Sequence, residues 1–415
     1  MDTTLYNTPS SDRAGLAVQT HALPAAARRV LALLARLRVG TLTLHGPAGE
    51  VQVFGDHAAP HAQIHIRRWT LCAEVLKSGD IGFAEGYMAG DWSTPSLTDL
   101  LRLFIANRRE LEGVVYGHWL GRLAYRVKHL LQRNTRRNSR KNIHAHYDLG
   151  NAFYELWLDS TMNYSSAWFD GDHNQDMASA QRAKVDRALR MAGVRPGDRV
   201  LEIGCGWGAL AEAATRDFGA QLTGVTLSTE QLAFAQARMN WNGTARQADL
   251  RLQDYRDITD GPFDAICSIE MLEAVGQEYW PTYFQSVARL LKPGGRACIQ
   301  SIVIDEALFD RYLHSTDFIQ QYIFPGGCLP SKSEVRRQAG AAGLQVVDEL
   351  AFGSDYAETL RRWRADFMGH LDDVRRLGFD ERFIRLWEFY LAYCEAAFDE
   401  ANIDVVQFTL ARPAA

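Results

Sequence analysis

Apolar residues recur along this chain at two spacings, and the chain divides where one gives way to the other. Residues 1–22 are polar and keep neither period. From Ala25 to Leu37 the apolar positions follow helical spacing, with Arg28, Arg29 and Arg36 between them. Thr41–His45, Val51–Phe54 and Gln63–Arg67 then alternate as strands with one buried face, and Gly46-Pro47 supplies a turn. Helical spacing returns over Trp69–Lys77 and Leu97–Arg109, with GFAEGYMAGDW (82–92) between them. Residues 1–112 therefore read as a small N-terminal α+β domain.

Beyond residue 143 the two periods take turns. Gln181–Ala192, Thr229–Asn240 and Tyr279–Leu291 are predicted helices. Seven short apolar runs read as strands: Val200–Ile203, Gln221–Leu227, Ala248–Gln253, Phe263–Ile269, Arg296–Ile304, Leu344–Phe352 and Val405–Ala411. Strands alternating with helices predict a parallel sheet covered on both faces, an α/β fold over residues 144–415. A long helical stretch rich in Trp, Phe and Tyr is inserted before the last strand. It either packs as core or roofs an apolar substrate channel.

The first of these strands runs into a glycine turn, Glu202-Ile203-Gly204-Cys205-Gly206-Trp207-Gly208. Glycine lets the backbone approach a ligand because no Cβ intervenes. A dinucleotide site favours G-x-G-x-x-G and an acid at the tip of the second strand. Here the second strand ends in Gly224-Val225-Thr226-Leu227-Ser228, without an acid, and Gln231 lies one helical turn on. An acid two places before alternate glycines is instead the pattern of S-adenosylmethionine (SAM) methyltransferases, whose ligand carries a cationic sulfonium and no phosphate. The predicted fold is that of a class I SAM-dependent methyltransferase, a Rossmann-like seven-stranded sheet.

Charge and composition narrow the alternatives. The 415-residue chain carries a net charge of −5, which argues against bulk nucleic-acid binding. Basic residues nevertheless crowd the linker over 113–143: Arg122, Arg126, Lys128, Arg133, Arg136, Arg137, Arg140 and Lys141, with no acid between Glu112 and Asp148. Leucines interleave with them at helical spacing. Such a helix lies on an anionic membrane surface, or it is a solvated linker; no nucleic-acid recognition motif accompanies it. Six cysteines without a C-x-x-C pair read as reduced thiols of a cytoplasmic protein. No run of 18 apolar residues is long enough to span a bilayer. His144, His146 and Asp148 lack the further ligands of a metal site, so no metal is expected.

Two acids, Glu270 and Glu273, stand at the end of the fourth strand in IEMLEAVG (269–276), at the sheet edge where open α/β sheets bind ligands. Together with HYDLGNAFYELWLD (146–159), MNYSSAWF (162–169), VLEIGCGWG (200–208), GVTLSTEQ (224–231), DYRD (254–257), QYIFPGGCLPS (321–331) and SDYAETL (354–360), this stretch resembles the cyclopropane-fatty-acid synthase family of SAM-dependent lipid-modifying enzymes. The resemblance covers residues 144–360.

It implies a reaction at the cis double bond of an acyl chain in a membrane phospholipid. The alkene takes the SAM methyl, and a base then removes a proton so that a ring closes. It implies that SAM is held by Tyr164, Ser165, Glu202, Gly204, Gly206, Gly208, Thr226, Gln231 and Tyr255. It implies that the base is a bicarbonate ion near Glu273, Tyr356, the backbone around Ser166, Gln300 and Ile302. Tyr164, Trp168, Phe169, Tyr322, Phe324 and Tyr356 would offer aromatic faces to a cation. The enzyme would sit peripherally on the inner face of the membrane, with a homodimer among its possible assemblies.

The chain departs from the family pattern at three points. E-H-V-G is here Glu273-Ala274-Val275-Gly276, H-T-I is Gln300-Ser301-Ile302, and the Cys of Y-S-C-A is Ser166. Both lost histidines are groups that titrate near neutral pH. A glutamine amide still donates a hydrogen bond but adds no positive charge. A lipid methyltransferase giving a methyl-branched or methylene product, and a non-enzymatic lipid-binding protein, therefore stand as alternatives to ring formation.

Overall fold

The computed structural model describes residues 23–111 and 149–414. The basic run and the His144–Asp148 stretch lie outside them. In the N-terminal part, β1 (Thr41–His45), β2 (Val51–Gly55), β3 (His61–Ile66) and β4 (Trp92–Ser93) form a sheet of order β2-β1-β3-β4. Helices Ala25–Leu34, Thr70–Ser78, Asp80–Ala89 and Leu97–Ala106 pack around it. The stretch 82–92 is thus mostly helix, although its glycines lower helix propensity. They are there for close packing: a Cβ on Gly82 would lie 2.4 Å from the Glu74 carbonyl oxygen, and one on Gly86 2.5 Å from Leu71. Gly90, at φ +75°, ends the helix.

The larger sheet has seven strands: β5 (Arg199–Ile203), β6 (Gln221–Thr226), β7 (Ala248–Leu252), β8 (Phe263–Ile269), β9 (Leu291–Ile304), β10 (Gln345–Ala351) and β11 (Ile403–Ala411). Their order is β10-β11-β9-β8-β5-β6-β7. It differs from the predicted parallel sheet at β11, which runs antiparallel to both β9 and β10. The helical insert explains this, because the helix Glu381–Asp399 hands the chain back at the carboxyl edge, where β11 must start. Alternation along β5 sends Leu201 and Ile203 to one face, with Phe284 and Val287, and Val200 to the other, with Val185 and Leu189. Glu202 shares that second side with the helix Met177–Met191.

The insert comprises helices Gly353–Gly369, Leu371–Arg376 and Glu381–Asp399. Its interior is continuous with that of the N-terminal part: Leu42, Ile64, Trp92 and Leu100 belong to the same apolar cluster as Trp157, Trp363, Trp387 and Phe389. Polar ties cross this boundary. The Tyr87 hydroxyl donates to Glu388 at 2.6 Å and the Thr98 hydroxyl to Glu395 at 2.9 Å. Asp80 accepts from the Phe318 amide and the Tyr393 hydroxyl, both at 3.1 Å.

Trp387 is 2% exposed and stands among Phe153, Tyr154, Trp157 and Phe383. Removing it leaves a cavity that rigid aromatic neighbours cannot fill, so Trp387→Ala should lower the unfolding free energy by about 3–5 kcal/mol. Urea denaturation measures this; a loss below about 1 kcal/mol would show that the cluster is not tightly packed.

Candidate active site

Four loops at the carboxyl edge of the large sheet, after β5, β6, β7 and β8, build the site. After β5 the chain turns through Gly204, Gly206 and Gly208, at φ +86°, +49° and +83°. The Gly204 and Cys205 amides both donate to the Val225 carbonyl, which pins the turn to β6. A Cβ on Gly208 would lie 2.9 Å from the Ala235 Cβ, and one on Gly204 3.0 Å from Met271. A Cβ on Gly206 would meet nothing within 4 Å, because that glycine faces a cavity.

Around this turn, polar atoms are buried without partners. Glu202 is 3% exposed and its Oε2 accepts no hydrogen bond. The buried Tyr255 hydroxyl is likewise unpartnered. Buried polar groups normally find partners, so these two fit a bound polar ligand. At the tip of β6 the Thr226 hydroxyl donates to Gln231 Oε1 at 3.0 Å, and Ser228 caps the following helix by accepting the Gln231 amide at 3.2 Å. Asp254 forms a two-point pair with Arg256 and leaves Tyr255 facing the cavity. These residues fit SAM in size and chemistry.

Lys184 was not singled out from the sequence. It is fully buried on the helix Met177–Met191, and its Nζ donates to the Ser165 hydroxyl at 2.5 Å. Burial pulls its pKa down to about 8, against the attraction of Glu270, Asp159 and Glu202. Burial pushes Glu202 up to about 8, against the Lys184 charge. The sequence did carry a signal: Gln181, Lys184 and Ala188 share the buried face of that helix, and polar residues on such a face need partners. Gln181 Nε2 donates to the Ser165 carbonyl at 2.8 Å, so the two together fix the segment at Ser165.

The second cluster lies between β8, β9 and the insert. Glu270 follows β8 at φ +49°, a left-handed conformation for a residue that is not glycine. Its Oε1 accepts from the Ser166 amide at 2.9 Å and from Gln300 Nε2 at 2.7 Å. Its Oε2 accepts from the Tyr356 hydroxyl at 2.5 Å. Gln300 Oε1 in turn accepts from Gln407 Nε2 at 3.0 Å, and Gln407 Oε1 accepts from Arg187 at 2.7 Å, so the amide that faces Glu270 is held in one sense. Asp355 accepts the Phe169 amide at 2.7 Å and Thr359 accepts the Ala167 amide at 3.1 Å, fixing the Ser166 segment against the insert.

Glu273 stands beside this cluster, its Oε2 buried without a partner. Its Oε1 accepts the Ile302 amide. Burial first, and then the neighbouring Glu270 charge, push its carboxyl up to about 8. Of the donors assigned to bicarbonate, the Ser166 N–H, Gln300 and Tyr356 are engaged by the Glu270 carboxylate, and the Ile302 N–H by Glu273. The donor set therefore does not fit a free bicarbonate.

Both clusters open on one cavity of about 570 Å³. The turn, Glu202, Thr226, Gln231 and Tyr255 line one part, and Glu270, Glu273, Ile302 and Tyr356 another. Apolar walls extend from Phe324, Leu360 and Tyr390 to Leu42, Ile64 and Phe104 of the N-terminal part. Of the six aromatic residues expected at a cation, Tyr164, Phe324 and Tyr356 line the cavity. The other three are elsewhere: Phe169 packs with Ala167 and Ala180 beneath Arg362, Trp168 lies under Arg187, and the Tyr322 hydroxyl donates to Glu85. The insert adds Phe389, Tyr390, Tyr393 and Phe398 in their place, so it is both core and roof. Among the described residues no helix is long and apolar enough to cross a membrane.

The chain is similar to known proteins over most of its length. The mycolic acid cyclopropane synthetase family matches residues 134–408. A tuberculostearic acid methyltransferase of Mycobacterium tuberculosis is 42% identical over 86% of this chain and 84% of its own. The cyclopropane-fatty-acyl-phospholipid synthase of Escherichia coli is 34% identical over 85% of this chain and 88% of its own. A crystal structure of a mycolic acid cyclopropane synthase complexed with SAH and CTAB superposes with a TM-score of 0.62 at 33% identity, covering 66% of this chain and 98% of that one.

Gly206→Val should place a branched side chain toward the cavity, at a φ of +49° that a β-branched residue resists, and weaken SAM binding by at least about tenfold. Calorimetry showing unchanged affinity would remove the ligand from this turn. The raised carboxyls also set a pH dependence. Folded Glu202 and Glu273 keep their protons from the ordinary 4.5 up to about 8, whereas the unfolded chain has released them. The unfolded state thus binds fewer protons there, and stability must fall as pH rises from about 5 to about 8. Thermal melting of the ligand-free chain should show that fall, and Glu273→Gln should flatten it; a rising melting temperature over that range would contradict the burial of these groups.

Proposed function

The chain belongs to the mycolic acid cyclopropane synthetase family, and from that premise we propose that it transfers the methyl carbon of SAM to the cis double bond of an unsaturated acyl chain in a membrane phospholipid. The observation that carries this reading is the single cavity joining the glycine turn to apolar walls through a cluster of buried carboxyls. What bound SAM supplies is a methyl carbon on cationic sulfur. Glu202, Thr226, Gln231 and Tyr255 would hold it beside the turn, and Tyr164 and Ser165 would border the transferring methyl. The cavity must exclude water, because water would quench a carbocation on the chain. The ring faces of Tyr164, Phe324, Tyr356 and Tyr390 do this, and each stabilises a nearby cation by about 0.5–2 kcal/mol.

The acyl substrate has to leave a bilayer to reach this cavity. The acid-free basic run over residues 113–143 supports peripheral attachment to an anionic membrane surface, each Lys or Arg contributing about 1 kcal/mol at low salt. A second product class is favoured by one finding: the relative at 42% identity is named a tuberculostearic acid methyltransferase. A methylene or methyl-branched chain is the outcome to set against a cyclopropane.

Vesicles of an anionic phospholipid with cis-unsaturated chains, incubated with the protein and SAM, should yield lipids enlarged by one CH2 group, and less of them as salt is raised. Proton NMR separates ring protons from an exocyclic methylene. Unsaturated vesicles left unchanged would contradict the reading, as would equal labelling of saturated ones.

A further inference from the structure

Three of the donors that the family resemblance assigns to a bicarbonate do not point into empty space. The Ser166 amide, Gln300 Nε2 and the Tyr356 hydroxyl converge on Glu270 at 2.9, 2.7 and 2.5 Å. A carboxylate and a bicarbonate offer the same planar pair of oxygens, so one side chain satisfies donors that would otherwise grip a free anion. The backbone is bent to make this possible. Glu270 adopts φ +49°, a conformation that disfavours a residue with a Cβ and persists only where surroundings enforce it. It lines the cavity together with Tyr356 and Glu273.

We propose that Glu270 is the catalytic base, the chain's own carboxylate in the place of a bicarbonate ion. This rests on the reading that the chain methylates an acyl alkene. In the reaction the alkene π pair forms the new carbon–carbon bond. The carbon–sulfur bond breaks and leaves its pair on sulfur, giving S-adenosylhomocysteine. A cation remains on the neighbouring chain carbon. Glu270 then accepts a proton from the substrate. The released C–H pair closes a three-membered ring or, after a 1,2-hydride shift, forms a carbon–carbon double bond to the new carbon. Bulk water takes the proton from Glu270 after the product leaves. Glu273 is a positioning residue: it holds the Ile302 amide, and its burial beside Glu270 favours its own protonated form.

The test compares the native chain with Glu270→Gly and Glu270→Gln, with and without added bicarbonate in degassed buffer, reading lipid product. The native chain should work at the same rate in both conditions. Glu270→Gly suits the left-handed backbone and frees the donors for a small anion, so it should lose product at least about a hundredfold and recover much of it with bicarbonate. Glu270→Gln fills the space with a group that takes no proton, so it should stay inactive in both. Retained SAM affinity, measured by calorimetry, shows that each variant is folded. An active native chain that stops on degassing and resumes with bicarbonate overturns the assignment alone, and so does a Glu270→Gln that works at native rate. A native chain that modifies no unsaturated lipid overturns the functional reading, and the assignment with it.

Discussion

Placing a charge in an apolar cavity is the constraint around which this molecule is arranged. A lipid chain needs dry walls, whereas methyl transfer to an alkene creates a cation and then a proton to be removed. A carboxylate without partners in such a place would simply stay protonated. Glu270 has three donors, one each from the Ser166 segment, β9 and the insert, and the buried Lys184 cation nearby. Burial still raises its pKa, and those four groups oppose the rise. Take away any one element and the donors no longer meet.

The scaffold follows from that requirement. The parallel strands β5, β6 and β8 deliver the glycine turn, Thr226 and Glu270 to one sheet edge. The antiparallel β11 brings Gln407 behind Gln300, and Arg187 locks the amide chain from the helix Met177–Met191. The insert contributes Tyr356 and the aromatic roof. The N-terminal part closes the far end of the cavity with Leu42, Ile64 and Phe104, which is why its core is continuous with that of the insert.

Much of this was legible in the sequence, and the parts that were not share a cause. The glycine turn, the seven strands and the site segments are local patterns, and local patterns survive reading one residue at a time. The direction of β11 depends on where the insert returns the chain. Lys184 looks like a solvated helix charge until its partners Ser165, Glu202 and Glu270 are brought to it from elsewhere. Glu270 and Glu273 were equally visible at the end of β8. Only the left-handed backbone at Glu270 decides which of them meets Ser166, Gln300 and Tyr356, and no spacing rule encodes that. The aromatic residues divide in the same way: Trp168 and Phe169 sit two and three residues beyond Ser166, yet the Asp355 and Thr359 contacts turn them away from the cavity.

The most direct measurement is a high-resolution crystal structure of the chain with S-adenosylhomocysteine, grown in the presence of bicarbonate. The account predicts the adenosyl group against Glu202 and the glycine turn, and the Glu270 carboxylate bonded to the Ser166 amide, Gln300 and Tyr356. A separate planar anion held by those three donors, with Glu270 swung out of the cavity, would contradict it.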